Sequence, residues 1–213
     1  MAYKVYDEGM QALKDKGFEL IGVGRGSEED LKEFTPQADV IICRTHYFSD
    51  ELLATAKNLK LFEVHGVGYQ DHIVPEDAAK RGIYVAYSPH GNFNTVAEGC
   101  VALTMSMVKH ICEYNNKVRT PEGIRPKMAI ELEGATIGLL GLGNIARSYA
   151  HKMYYGMGCN IVGYKRTPDD TIPHYIKMLD SMEDVFKVSD IVSLHIPGEL
   201  HYKGMINKKY FDL

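Results

Sequence analysis

No stretch of this sequence approaches the roughly 18 consecutive apolar residues that mark a membrane-spanning helix. The first ten residues, MAYKVYDEGM, carry early acids and no apolar core, so they are not read as a secretory signal. Four cysteines, Cys43, Cys100, Cys112 and Cys159, form no C-x-x-C pair. That spacing argues against a thiol redox or zinc motif and fits reduced thiols in a cytoplasmic protein. The nine histidines show no metal-ligand spacing, so no metal is expected. A balance of 24 basic against 28 acidic residues leaves a net charge of −4. With no basic excess, neither nucleic acid nor an anionic membrane is the expected partner. Repeats and low-complexity tracts are also missing.

What is present is an alternation of short apolar runs with helix-like stretches. Apolar residues make up 45% of the 213 positions. Strand candidates are FELIG (18–22), DVIICR (39–44), LKLFEVHG (59–66), IYVAY (83–87), ATIGLLG (135–141), CNIVGY (159–164) and DIVSLHI (190–196), with a short YKVY run at 3–6. Most are continuous rather than alternating, as in parallel strands buried on both faces. Helices are expected at 8–16, 49–57, 75–81, 144–156 and 181–188. The pattern predicts an α/β fold with doubly wound parallel sheets.

Residues 95–116, TVAEGCVALTMSMVKHICEYNN, break this rhythm. They open with Thr95-x-x-Glu98, a capping box that predicts a helix start. The segment is apolar around much of its circumference, as expected of a helix between domains or between subunits. The boundary is accordingly set between residues 1–94 and 95–213. The later unit shows three strands, where a complete doubly wound sheet commonly has six, so it reads as incomplete.

Within that unit, Gly141-x-Gly143-x-x-Ala146 stands between a strand and a helix, the context that gives such a glycine pattern meaning. Gly141 suits a tight turn, Gly143 a close backbone approach, and Ala146 close helix–strand packing. The N–H groups of Asn144 and Ile145 would then face a pyrophosphate at the positive helix end. The plain alternative is a glycine turn that binds nothing. An acid about 20 residues further on ordinarily holds the ribose of NAD. Here the stretch reads Lys165-Arg166-Thr167. Two cations and a hydroxyl suit a 2′-phosphate, so NADP is favoured, with NAD as the alternative.

These motifs, with HGVGYQDHI (65–73), AAKRGIYVAYSPHGN (78–92), NTVAE (94–98) and SDIVSLHIPGELHYKGMIN (189–207), resemble the D-isomer-specific 2-hydroxyacid dehydrogenases. The likeness covers nearly the whole chain. It implies a flavodoxin-like substrate domain and a Rossmann nucleotide-binding domain, with the active site between them. It also implies a homodimer through the long helix and a small 2-keto or 2-hydroxy acid as substrate. By position, the Val67 and Gly68 amides would hold the substrate carboxylate, a nest-like arrangement. Asn92 would lie near substrate and nicotinamide, Arg44 near the first substrate-domain loop, and His195 and Pro197 against the cofactor.

The sequence departs from the family in three places, the first being the YKVY run at 3–6, short for a central strand. Where the family commonly reads Asp-Asn-Ile-Asp, this chain has Gln70-Asp71-His72-Ile73-Val74, one residue longer. The arginine, carboxylate and histidine that the family uses in catalysis have no counterparts through Leu213, and none of His65, His72 and His90 takes that place. The expectation is an NAD(P)-dependent reductase of glyoxylate- or hydroxypyruvate-like acids, with negligible turnover by these 213 residues alone. Another reading is a non-catalytic nucleotide-binding or dimerisation protein derived from the family. A third, an unrelated α/β signalling module, requires the glycine-loop match to be accidental.

Overall fold

The computed structural model describes residues 7–22, 27–167, 169–197 and 203–213. The chain divides into two compact units, Met1–Ser88 and Pro89–Leu213.

In the first unit, helices α1 (Asp7–Asp15), α2 (Glu28–Phe34), α3 (Asp50–Leu53) and α4 (Pro75–Ala79) accompany strands β1 (Val40–Cys43), β2 (Leu61–Val64) and β3 (Tyr84–Tyr87). The strands are parallel in the order β1-β2-β3. Phe62 and Val64 of β2 are fully buried among Phe48, Leu53, Ile73 and Ala78. Phe48 meets Phe62 edge to face, with ring centroids 4.9 Å apart. Removing such a side chain from water contributes about 1.5–3 kcal/mol.

Two expectations for this unit fail, and one element appears that was not expected. Residues 18–22 form no strand, and Phe18 and Ile21 are exposed. Without a paired neighbour among the described residues, an apolar run cannot close a ladder. Burial on both faces does not hold either: Ile42 and Tyr84 are exposed on the face opposite Phe62. Finally, α2 was not anticipated. Ser27 caps it in a reciprocal box with Asp30, which serves as the acid at the third helical position. The YKVY run at 3–6 lies outside the described residues.

The second unit holds α5 (Phe93–Val108), α6 (Ile111–Lys117), β4 (Thr136–Leu140), α7 (Asn144–Met157), β5 (Asn160–Tyr164), β6 (Ile176–Met178), α8 (Met182–Val188), β7 (Ile191–Leu194) and α9 (Lys208–Phe211). Its parallel sheet has the order β6-β5-β4-β7, with four strands where the sequence suggested three. The extra one, β6, is only three residues long. Here burial does alternate across two covered faces. Ile137, Leu139 and Ile161 pack with Ala146, Tyr149 and Met153 of α7. Leu140 and Val162 pack with Val185 of α8. A hydroxyl pair, Thr104 Oγ1 and Tyr149 Oη at 2.7 Å, joins α5 to α7 in the interior and satisfies both polar groups.

The long apolar helix also differs from expectation. It starts at Phe93, so Thr95 lies inside the first turn and cannot cap. Glu98 instead accepts from the Asn94 amide at 3.0 Å. The helix ends at Val108, because His110 adopts the left-handed conformation (φ 53°) and α6 restarts at Ile111. Only Ala97, Thr104 and Val108 of α5 are buried, whereas Leu103 is 72% and Met107 58% exposed.

Candidate functional site

The strand order β6-β5-β4-β7 reverses between β4 and β7, because the chain runs outward from β4 to β6 and then returns to the other side. In open α/β sheets, the crevice beyond the carboxyl ends of strands at such a reversal is where ligands bind. Three turns converge there. Gly141 N–H donates to Tyr164 O at 2.9 Å, and His195 N–H donates to Leu140 O at 2.8 Å. The glycine loop, the end of β5 and the end of β7 are therefore stitched together by backbone bonds.

Each glycine of the loop has a different cause. Gly141 has φ +88°, and a Cβ there would stand 2.5 Å from His195 O. The fold itself demands that glycine. Gly143 is otherwise: its φ is −76°, and among the described residues a Cβ would meet no atom within 4 Å. None of those residues requires the missing side chain. Gly143 is also the N-cap of α7, with no side-chain cap. The next N–H groups, including those of Asn144 and Ile145, face an open end of a 14-residue helix. An open cradle at a positive helix end fits a pyrophosphate.

Beyond β5, Lys165 is half-buried, and Arg166 and Thr167 are exposed. Arg166 makes no ion pair or hydrogen bond among the described residues. Lys165 pairs with the carboxylate of Asp169. Asp169 also receives the Arg147 guanidinium at 3.1 and 3.3 Å and the Thr171 N–H at 3.0 Å. Lys165 first, then Thr171 and Arg147, hold this carboxyl well below the usual carboxylate range. Asp169, four residues past Lys165, is not among the site residues that the sequence pattern indicates.

His195, half-buried just after β7, bonds Ser193 Oγ through Nε2 at 2.9 Å. Burial pushes its pKa down, which favours the neutral imidazole. Pro197 follows and is exposed. Asn92, the N-cap of α5, uses no side-chain bond in capping.

The remaining candidates lie in the first unit. Arg44 follows β1, and Val67 and Gly68 follow β2 in the segment 65–68. Because β1 and β2 are parallel neighbours, all three sit beyond the same end of that sheet. Two further contacts shape the region. Phe48 N–H donates to His72 O at 2.7 Å, and His72 Nδ1 lies 3.0 Å from His46 O. The lengthened segment is thus tied to the loop after β1 through His72.

The model of the D-isomer specific 2-hydroxyacid dehydrogenase NAD-binding domain matches residues 101–213, more than half of the chain. The chain belongs to the D-2-hydroxyacid dehydrogenase family. Among curated members, a D-3-phosphoglycerate dehydrogenase of Archaeoglobus fulgidus is 30% identical over 217 residues, covering 100% of this chain and 40% of the relative. A glyoxylate reductase of Thermococcus litoralis is 35% identical over 194 residues, covering 86% of this chain and 58% of the relative. Among solved structures, the TT0316 protein of Thermus thermophilus superposes with a TM-score of 0.84 at 26% identity, covering 95% of this chain and 66% of that one. The chain thus spans about half the length of the curated family members it matches.

In family terms, the second unit is a nicotinamide-nucleotide-binding domain showing the first four strands of the 3-2-1-4-5-6 order, with β4 as strand 1 and β7 as strand 4. Among the described residues, no helix is long and apolar enough to cross a membrane.

Proposed function

We propose that this chain binds NADP in preference to NAD. We further propose that it forms the cofactor- and substrate-binding part of a reductase of small 2-keto acids such as glyoxylate or hydroxypyruvate. The observation that carries the reading is the pairing of an uncapped α7 N-terminus with Gly143, whose missing side chain opens onto empty space. Gly143 and the N–H groups of Asn144 and Ile145 hold the pyrophosphate. Arg166 and Thr167, with Lys165 behind them, meet the 2′-phosphate. His195 and Pro197 border the switch point. When bound, the nicotinamide supplies or accepts the hydride. Val67 and Gly68 offer backbone N–H groups to the substrate carboxylate, Arg44 adds positive charge at the same sheet end, and Asn92, whose side chain makes no capping bond, contributes its amide. No residue of this chain is assigned the proton transfer.

Titration calorimetry with NADPH and NADH tests the cofactor reading. Arg166→Ala is expected to weaken NADPH about tenfold or more, through loss of a charge-assisted fork, and to leave NADH within about twofold. Equal losses for the two cofactors, or no binding of either by the unsubstituted chain, would overturn it.

The exposed apolar side chains Leu103 and Met107, one turn apart on α5, with Ile111 at the start of α6, are the surface we assign to a homodimer. Large apolar side chains exposed in this way need cover in water. Sedimentation as a monomer at tens of micromolar would remove that assignment.

A further inference from the structure

The cofactor loop of this chain contains a counter-charge that its sequence pattern conceals. Arg147, in the first turn of α7, reaches three places. Its Nε donates to Leu142 O, inside the glycine loop, at 2.8 Å. One Nη donates to Thr171 O at 3.0 Å, and the other to both oxygens of Asp169. Arg147 therefore fastens the loop after β5 to the glycine loop itself.

At the other end of the clamp, Asp169 accepts from Arg147, from Lys165 Nζ, and from the N–H and hydroxyl of Thr171. A carboxylate offers about four lone-pair sites. Four protein donors already occupy them, so Asp169 is not free to take the two hydroxyls of an NAD ribose. Its charge also offsets that of Lys165, whose side chain is 29% exposed. Of the two cations in the Lys165-Arg166 pair, Lys165 is committed to Asp169 and Arg166 has no ion pair among the described residues.

The geometry points to Asp169 as a specificity-determining residue that restrains the preference for NADP. It holds Lys165 away from an incoming 2′-phosphate and leaves that phosphate to Arg166. Removing the carboxylate charge releases Lys165 as a second cation and sharpens the preference. The idea rests on the cofactor reading above, and its failure is separable from the failure of that reading.

The test is Asp169→Asn in the 213-residue chain. The carboxamide oxygen still accepts from Arg147 and Thr171, but the negative charge is gone. Titration calorimetry should show NADPH binding about fivefold to tenfold tighter, since a charge-assisted contact is roughly twice as strong as a neutral one. NADH should stay within about twofold, because it lacks the 2′-phosphate. The NADPH gain should shrink at high salt, as an added exposed charge contact must.

A second readout needs no cofactor: acylation of Lys165 by an amine-reactive ester, followed by peptide mass spectrometry, should be slow in the unsubstituted chain and faster in the variant. Asp169→Ser, which keeps one small acceptor, is run alongside and should shift both readouts in the same direction. Parallel weakening of NADPH and NADH would reduce Asp169 to a loop support and overturn the idea. So would an unchanged NADPH affinity. If Arg166→Ala discriminates between the cofactors and the Asp169 variants do not, only this inference falls. If Arg166→Ala does not discriminate, the NADP reading falls first.

Discussion

Gly141→Ala is expected to destabilise the second unit by about 3 kcal/mol or more, while Gly143→Ala, two residues away, is expected to cost under about 1 kcal/mol. The first substitution carries two penalties. At φ +88° a Cβ crowds its own backbone, which costs about 1–2 kcal/mol. The same Cβ would stand 2.5 Å from His195 O and 2.9 Å from its carbonyl carbon. Those are backbone atoms, and His195 N–H is itself bonded to Leu140 O, so the end of β7 cannot swing aside without losing that bond. At Gly143 neither penalty applies, because its φ is ordinary and its surroundings are empty.

The functional consequences should be reversed. Gly143→Ala places a methyl group where the pyrophosphate approaches and should weaken NADPH about tenfold or more, with thermal unfolding almost unchanged. A Gly143→Ala protein that binds NADPH like the unsubstituted chain would show that the open space is not the phosphate cradle. A Gly141→Ala protein that melts with the unsubstituted chain would show that the β4–β7 junction yields more easily than its bonding suggests.

This contrast marks what the sequence could and could not reveal. The glycine spacing announced the loop, and the flanking apolar run and helix announced its setting. Both glycines look equivalent in a string of letters. Their different causes depend on His195, 54 residues after Gly141, which only the sheet brings beside it. The same limit explains Asp169. Its partners Arg147, Lys165 and Thr171 are spread over α7 and the loop beyond β5, so no local pattern marks it as the counter-charge. Elements with a clear apolar run or period and a marked end, such as α7 and the strands β1, β2, β4, β5 and β7, are legible to within a residue or two. The longest helix is not, because its break at His110 leaves no mark in the apolar pattern, and neither are β6, which spans three residues, and α2, which reads EEDLKEF. Even there a signal existed, since Ser27 and Asp30 have capping-box spacing, with Asp in the place where Glu is the usual sign. Thr95-x-x-Glu98 shows the opposite error. It has the correct letters inside a helix that had already begun at Phe93.

Gly138, the first glycine of GLLG, was not singled out in the sequence, yet Gly138→Ala should be among the most damaging single changes to the second unit. It lies in the middle of β4 on the face that α8 covers. A Cβ there would fall closer than 3.0 Å to Ser189 Oγ and 2.5 Å from Val185 Cγ1. Neither neighbour is a loose surface end. Val185 is fully buried, and Ser189 Oγ donates to Val185 O at 2.6 Å, which fixes the end of α8. Relief would require α8 to lift from the sheet and loosen its contacts with Leu140 and Val162. Overpacking of this kind costs about 1–3 kcal/mol, and two overlaps with restrained neighbours place this case near the upper end. That corresponds to a fall in melting temperature of roughly 10 °C for a unit of this size.

Compensation distinguishes this cause from a general strand propensity effect. Ser189→Ala removes the overlapping oxygen, and Val185→Ala removes the overlapping methyl. In the Gly138→Ala background, each should therefore cost less than it does alone, with a coupling of about 1 kcal/mol measured by a double-mutant cycle in urea. Strictly additive effects would mean that the crowding between β4 and α8 is not what the glycine avoids. Any loss of stability on Gly138→Ala would then have to come from the strand itself rather than from the packing of α8 on β4.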